Sequence, residues 1–503
     1  MKDKTKENKL DPKTEEIAED ALEEALEEIS DSEKARFHLD DKIEALLKKM
    51  RLTLPRIFIL IALFEGLIYA FLFPCAQIPD EYNHYMAIEN SFGTTGYAKE
   101  MKKILYKKAG YGSLIGNLEK RVDREKSEKY SSRKFSQPFK LSNFHPNIGV
   151  LKYLPAGLGF YLGIMLGLPM LTCTHLAEIF ATLFFVFIGA LTIKLTPVKK
   201  DMFMFCMLIP MTLQQCSSVN YDSVLIPLCF LLFAFILNLR FREKKIGWKD
   251  IIICLVLTGI IAVIKVPYIF ILGALLIIPH DRFDLKIGGK FEVAGFIRRF
   301  WYIFIILACI MVVLVGFVGR NNENVKTIIA NVLEFSRFKT VMTNTYKAMG
   351  PHHITGIVGL FSWHEISVSM GFVLLFFIVM TYMNTDLREN VIKYISGLGR
   401  AWLLILSIIM ILLVYIAMQT WTYKTMGLDL AGDVTAFRSY LSNIETIQGV
   451  QGRYFIPVLP MILAALSGTR KAKNRIVYYT VQYGFYAFSF LNVVYHIYVR
   501  FWV

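Results

Sequence analysis

A long apolar run from Ile57 to Phe73 constrains this chain more than any other feature of its sequence. Its length and composition predict a helix that crosses a membrane. Hydrophobic residues make up 55% of the 503-residue chain, which is too many for a soluble protein. Ten further apolar runs are candidate spans: His175–Leu195, Met202–Ser217, Ser223–Leu239, Ile251–Ile264, Tyr268–Ile278, Trp301–Val318, Val368–Tyr382, Ala401–Gln419, Tyr454–Leu466 and Ile476–Ile497. The sequence therefore predicts an all-α polytopic membrane protein with about eleven transmembrane helices.

Basic residues set the predicted topology. Arg51 and Arg56 precede the first span, which assigns the N-terminus to the cytoplasm and residues 74–174 to a long first outer loop. Later connections alternate between strongly basic and weakly charged, and the basic set belongs in the cytoplasm. That alternation requires Ile148–Met170, which is rich in glycine and contains Pro155, to be a juxtamembrane or re-entrant hairpin that does not cross. The C-terminus then lies outside the cell membrane, and the net charge of +15 reflects topology rather than a nucleic-acid partner.

The chain divides into two parts of different composition. Residues 1–50 form a charged cytoplasmic tail that is predicted to be partly helical, and residues 51–503 form the multi-pass membrane domain. The tail is either a solvated segment or a docking helix for a soluble partner enzyme.

Polar residues gather in the loops that this topology assigns to the outer face. The candidate site residues are Asp80, Glu81, His84, His145, Asp222, Lys265, Gln451, Arg453 and Tyr454. The fourth outer loop, residues 320–367, adds His352-His353 and Trp363-His364-Glu365. Each has a structural alternative: Asp222 as a helix N-cap, Lys265 reaching to the interface, Arg453 as an interfacial anchor, and the histidines and Trp363 as loop or interfacial surface.

These residue types suit group transfer to a hydroxyl. Asp80 can take a proton from an acceptor hydroxyl as a general base, and Pro79 restricts its backbone. Glu81 either orients Asp80 or binds a divalent cation with it, Mg²⁺ or Mn²⁺, through oxygen ligands. Arg453 and Lys265 can neutralise a departing phosphate. The apolar spans can hold a lipid tail.

The chain resembles the GT-C fold glycosyltransferases, multi-pass enzymes that use lipid-linked sugars at the outer membrane face. Within them it is most similar to a bacterial multi-pass family catalogued as a domain of unknown function. The resemblance covers Arg56 to Val503 and rests on five stretches: Pro79-Asp80-Glu81 with His84, His145-Pro146, Asn220-Tyr221-Asp222, Lys265-Val266-Pro267-Tyr268, and Gly449-Val450-Gln451-Gly452-Arg453-Tyr454-Phe455-Ile456-Pro457.

The resemblance implies that Asp80 is the catalytic base or a metal ligand, with Asp222 as the assisting second acid. The chain departs from the pattern at Trp363-His364-Glu365, where a Trp-Leu-Asp type of sequence is expected. We therefore predict a membrane glycosyltransferase that moves a sugar from a polyprenyl-phosphate donor to a cell-envelope glycan or lipid-linked acceptor. A soluble polyprenyl-phosphate sugar synthase is the partner that the tail would recruit. The alternatives are a transporter or flippase of lipid-linked sugars, and a membrane scaffold.

Overall fold

The fold was analysed in a computed structural model. It describes residues 53–74, 77–93, 96–100, 132–135, 140–287, 291–292, 321–362, 364, 366–385, 395–467 and 474–503. The N-terminal tail, the candidate span Trp301–Val318, and Trp363 and Glu365 lie outside the described residues.

Helices account for almost all regular structure in the described part of the chain. The α-helices are α1 Leu54–Leu72, α2 Glu81–Phe92, α3 Val150–Met165, α4 Met170–Leu195, α5 Lys200–Met207, α6 Pro210–Cys216, α7 Asp222–Phe241, α8 Trp248–Ile264, α9 Glu323–Leu333, α10 Phe335–Val358, α11 Met370–Met383, α12 Gly397–Thr425, α13 Val434–Asn443, α14 Leu459–Leu466 and α15 Arg475–Phe501. The 3₁₀ helices are Leu141–Asn143, Val266–Ile277, His280–Arg282 and Gly452–Val458. Two antiparallel pairs of two-residue strands join β1 Lys286–Ile287 to β2 Phe291–Glu292, and β3 Leu360–Phe361 to β4 Ile366–Ser367.

Four of the described helices are long and apolar enough to cross a membrane. They are α1, α4, α7 and α12, and α7 is the most enclosed by its neighbours. The prediction of a helical membrane protein is confirmed at this level. Side chains such as Leu60, Phe64 and Phe187 stay exposed on these helices, as expected for surfaces that face lipid.

Contacts between helix ends fix the direction in which each helix runs. The rings of Phe71 and His175 lie 4.8 Å apart, so the end of α1 lies beside the start of α4 and the two helices are antiparallel. Asn238 Nδ2 donates to the carbonyl of Leu195 at 2.7 Å, so α4 and α7 end together. Trp502 Nε1 donates to the carbonyl of Leu72 at 2.9 Å, which brings the end of α15 beside the end of α1.

The bundle therefore has two distinct ends. The start of α7 and the end of α8 meet at one of them, since the Lys265 ammonium lies 5.8 Å from the ring centroid of Tyr221. We call this the Arg453 end, because Arg453 also contacts the start of α7 there. The opposite end, where α4 and α7 finish, is called the basic end.

Cations at the basic end bond to the carbonyl groups that finish neighbouring segments. Lys199 Nζ donates to the Asn384 carbonyl and Arg400 to the Ser467 carbonyl, both at 2.9 Å, and Arg240 donates to the Ile277 carbonyl. The last carbonyls of a helix lack partners within the helix and carry partial negative charge. Cations of the basic connections that set the predicted topology thus also bond to the last carbonyls of neighbouring helices.

The predicted hairpin forms one separate helix, α3, followed by a short turn into α4. A Cβ on Gly159 would lie 2.3 Å from the Leu176 carbonyl oxygen, and one on Gly163 would lie 2.8 Å from Cys173 Sγ. These pairings show that α3 runs antiparallel along the first half of α4. At about 1.5 Å per residue, α3 is about 24 Å long, which is shorter than a membrane core. Helix α4 begins at Met170, within the predicted outer loop that ended at residue 174.

Three predicted segments have different structures. Met202–Ser217 was expected to be one span, but α5 and α6 are separate helices with Pro210 at the start of the second. Tyr268–Ile278 was expected to be a span, but this segment forms a 3₁₀ helix. A 3₁₀ helix rises about 2.0 Å per residue, so it is longer than an α-helix with the same number of residues. Residues 320–367 were expected to form a loop, but they form α9 and α10. These two helices and α13 pack around the C-terminal part of α12. The second hydrophobic core that they form contains Phe338, Tyr423 and Phe437.

Close packing of α3 on α4 predicts a specific sensitivity at Gly159. Gly159→Ala should lower the thermal stability of the detergent-purified protein, since overpacking costs about 1–3 kcal/mol. Gly259→Ala is the matched control, because a Cβ there meets no atom within 4 Å. The control should match the wild type or exceed it, since alanine favours a helix by up to about 1 kcal/mol. Size-exclusion chromatography after heating measures both variants, and equal melting temperatures would contradict the close approach.

Candidate functional site

Arg453 is the buried centre of the site. It lies in the 3₁₀ helix Gly452–Val458 and is 5% exposed. Its Nη1 donates to Gln215 Oε1 at 2.6 Å, and its Nε lies 3.8 Å from Asp222 Oδ2. Gln215 belongs to α6 and Asp222 is the first residue of α7, so Arg453 joins its own segment to two consecutive helices that lie much earlier in the sequence. The interpretation of Asp222 as a helix N-cap is wrong, because Tyr221 occupies that position.

Gly452 allows Arg453 to reach this position. A Cβ on Gly452 would lie 2.1 Å from the His353 carbonyl oxygen and 2.7 Å from Gly356 Cα, both in α10. No side chain fits at that distance, so the backbone of the Gly-Arg-Tyr motif packs directly against α10. The close packing against α10 therefore requires a glycine at this position of the motif.

Lys265 follows α8, and its side chain packs against an aromatic residue of the site. Its ammonium lies 3.5 Å from the ring centroid of Tyr454, which is a close cation–π contact. The Tyr268 hydroxyl donates to the Tyr454 carbonyl at 2.6 Å and fixes the same turn. Burial lowers the pKa of Lys265 to about 8, Asp222 opposes this shift, and the positive charge of Arg453 adds to it.

His84 enters the site from the first turns of α2. Its Nδ1 is 2.9 Å from the Tyr153 hydroxyl, and its ring meets that of Tyr221 edge-on at 5.4 Å. Burial, and then the nearby charge of Arg453, lower the pKa of His84 to about 3. The imidazole is therefore neutral across the physiological pH range.

Asp80 and Glu81 differ in environment although they are adjacent. Asp80 is exposed, accepts from Asn83 Nδ2 at 3.2 Å, and lies within electrostatic reach of the Tyr454 phenol. Glu81 is 1% exposed. Asp80 has a left-handed backbone with φ of 62°, which is uncommon for a residue other than glycine and is frequent at functional sites.

The remaining candidates lie around this cluster. Gln451 precedes the 3₁₀ helix and lies next to His364, whose ring is 5.2 Å from that of His352. His353 is buried in α10, with Nδ1 3.0 Å from the Tyr415 hydroxyl, so the loop-surface interpretation is wrong for it. His145 is exposed, and its backbone bonds to the Phe92 carbonyl at the far end of α2, about 12 Å along the helix from His84.

The charges of the cluster favour an anionic ligand. Arg453, which is buried, and Lys265, which is half-buried, are two cations that share the carboxylate of Asp222. Arg453 Nε is buried and has no hydrogen-bond acceptor among the described residues. A phosphate oxygen would supply both the missing acceptor and the missing negative charge. The described residues contain no group of three or more His, Cys, Asp or Glu side chains suited to a metal ion.

Sequence reasoning missed Tyr153. It lies in α3, which was identified only as a non-crossing hairpin, and its tyrosine carries no motif of its own. The only available signal was its position in the first turn of a segment that was predicted to return to the outer surface.

The chain belongs to a family of predicted membrane proteins, DUF2142, whose family model matches residues 63–462. This confirms the predicted membership of a multi-pass bacterial family catalogued as a domain of unknown function. The match spans every site residue from Asp80 to Tyr454. Comparison with curated proteins and with solved structures found no match.

A double-mutant cycle tests the Arg453–Asp222 pair. Asp222→Asn or Arg453→Gln alone should cost about 3–5 kcal/mol of stability, because each leaves a buried group without its partner. The double variant should cost less than the sum of the two, with a coupling of about 0.5–3 kcal/mol. The exposed pair Arg438–Glu334 is the control and should be nearly additive. Thermal stability in detergent measures all variants, and additivity at Asp222 and Arg453 would contradict the pairing.

The pKa of His84 predicts a pH dependence of stability. The unfolded chain binds a proton at this residue below about pH 6.5, whereas the folded chain does not until about pH 3. Stability should therefore fall as the pH is lowered, by about 2 kcal/mol between pH 7 and pH 5. His84→Gln should remove that part of the loss, which is measured as the difference between two melting curves against pH. Parallel curves would show that His84 titrates normally.

Proposed function

We propose that this DUF2142 membrane protein is a glycosyltransferase that moves a sugar from a polyprenyl-phosphate donor to a hydroxyl of a cell-envelope glycan or lipid-linked acceptor. The observation that carries the proposal is the pair of cations Arg453 and Lys265, which share the carboxylate of Asp222 near the exposed Asp80. A transfer that releases a phosphate needs fixed positive charge on one side and a base on the other.

The proposed reaction inverts the sugar. Asp80 takes the proton of the acceptor hydroxyl as that oxygen bonds to the anomeric carbon. The bond from this carbon to the phosphate oxygen breaks, and the electron pair leaves with the polyprenyl phosphate. Arg453 and Lys265 then face the charge that develops on the phosphate, where donors in a dry site are most effective. Glu81 orients Asp80, or both acids hold a Mg²⁺ or Mn²⁺ ion.

We further propose a GT-C-like arrangement of about eleven spans with the Arg453 end at the outer face. Four helices that are long and apolar enough to cross a membrane support four of the proposed spans. The cations at the basic end support the assignment of that end to the cytoplasm. On this topology the apolar surfaces of the spans adjoin the site and can take the polyprenyl chain. The tail at residues 1–50 would recruit a soluble polyprenyl-phosphate sugar synthase.

Complementation of a deletion strain tests the proposed base. Asp80→Asn should remove the sugar from the surface glycan, because loss of a general base lowers the rate by about 10²–10⁴-fold. Glu445→Gln, an exposed acid, is the control and should restore the wild-type glycan. Glycan composition is compared after membrane levels of each variant are shown to be equal, and full decoration with Asp80→Asn would remove Asp80 from the mechanism.

Reconstitution into liposomes separates transfer from transport. A transferase joins sugar to acceptor when donor and acceptor are both on the face of the Arg453 end. The alternative, a flippase of lipid-linked sugars, would move the donor across the bilayer without forming that bond. Donor movement without product would replace the proposed function by transport.

A further inference from the structure

Tyr153 and His84 form a buried hydrogen-bonded pair that the proposed reaction does not yet use. Their side chains meet at 2.9 Å between the tyrosine hydroxyl and His84 Nδ1, although 69 residues separate them in sequence. Tyr153 is 5% exposed and His84 is 8% exposed. A polar pair this deep beside Arg453 is a fixed part of the site and not a surface contact.

A local distortion of α3 accompanies this placement of Tyr153. Its backbone angles, φ −129° and ψ 15°, are non-helical although it lies inside α3, at the end of the first turn. Pro155 follows two residues later and lacks the N–H that would bond to the preceding turn. The first turn of α3 is therefore bent relative to the rest of the helix, and Tyr153 lies at the bend.

The hydrogen-bond inventory decides which partner donates. A phenol has one hydrogen to donate, and neutral imidazole has one donor and one acceptor nitrogen. Among the described residues, the hydroxyl of Tyr153 has His84 Nδ1 as its hydrogen-bond partner. If His84 donated, the buried phenol hydrogen would be left without an acceptor, at a cost of about 1–3 kcal/mol. Tyr153 therefore donates to Nδ1, and the imidazole hydrogen lies on Nε2.

The ring of His84 is held in two directions. The Tyr153 hydroxyl fixes its Nδ1 edge, and the Tyr221 ring packs edge-on against it. Nε2 lies on the far side of the ring from the bonded nitrogen and has no hydrogen bond to a described residue. It is a donor with a fixed direction in the neighbourhood of Arg453.

We infer that Tyr153 is a positioning residue that holds His84 in the Nε2–H tautomer, so that this N–H donates to a phosphate oxygen of the substrate together with Arg453. The substrate class rests on the proposed function, whereas the tautomer rests on the contacts of His84 alone. A neutral donor adds a hydrogen bond without adding a third cation to the pair Arg453 and Lys265. It also releases no proton as charge develops on the phosphate.

Nitrogen NMR of the full-length protein in detergent tests the tautomer directly. With ¹⁵N-labelled histidine, the His84 signal, assigned by its loss in His84→Gln, should show a pyridine-type Nδ1 and a pyrrole-type Nε2 at pH 7. Tyr153→Phe, which removes only the hydroxyl, should mix the two tautomers. Tyr161→Phe is the matched control: its hydroxyl, on the same helix, donates to the Gly93 carbonyl at 2.7 Å and does not touch His84.

An Nδ1–H tautomer in the wild type would overturn the inference, as would a Tyr153→Phe spectrum identical to that of the wild type. If Tyr153→Phe does not fold, the wild-type tautomer alone decides the matter. In the transfer assay, Tyr153→Phe should lower kcat about tenfold with little change in KM, and Tyr161→Phe should not. Failure of wild-type transfer would sink the proposed function but leave the NMR result standing, so the two failures are distinguishable.

Discussion

Burial of the Arg453 guanidinium is the constraint on which this end of the bundle depends. Removing a cation from water costs several kcal/mol, and the cost is met only where acceptors and a counter-charge are in place. Gln215 and Asp222 supply them from α6 and the start of α7. The C-terminal end of α6 and the N-terminal end of α7 must therefore lie at the same depth in the helix bundle. The break between α5 and α6 makes this arrangement possible, because the short α6 positions Gln215 independently of α5.

Backbone strain is concentrated around the same cluster. Among the described residues, four other than glycine have positive φ, and three of them, Asp80, Ser362 and His364, belong to segments of the Arg453 end. Ser362 Oγ donates to Gln77 Oε1 at 3.0 Å, so the turn between β3 and β4 is tied to the segment that leads into Asp80. Such conformations cost about 1–3 kcal/mol each and persist only where surrounding contacts enforce them. Their position indicates that the direction of Asp80 is imposed by the fold.

The sequence predicted the positions of the long apolar helices better than it predicted the local geometry of the backbone. Apolar runs located α1, α4, α7 and α12, because their length and polarity follow directly from the bilayer. The Gln-Gly-Arg-Tyr motif singled out Arg453 as a candidate site residue, but it did not predict that the guanidinium is buried. Neither signal reports bends, so the break at Pro210 and the 3₁₀ geometry after Lys265 were missed. Tyr153 was missed because it acts here through contacts with residues that are distant in sequence, His84 and Tyr221, which periodicity cannot encode.

Positive charge has different surroundings at the two ends of the bundle, and this difference supports the proposal that a ligand binds at the Arg453 end. At the basic end, Lys199 and Arg400 each donate a hydrogen bond to a backbone carbonyl and so contribute to the fold. At the Arg453 end, Lys265 faces an aromatic ring and Arg453 retains a buried Nε that lacks an acceptor among the described residues. A ring face attracts a cation but does not neutralise it. At the Arg453 end, the two cations share the carboxylate of Asp222, so a bound anion would add a second counter-charge and a hydrogen-bond acceptor for Arg453 Nε.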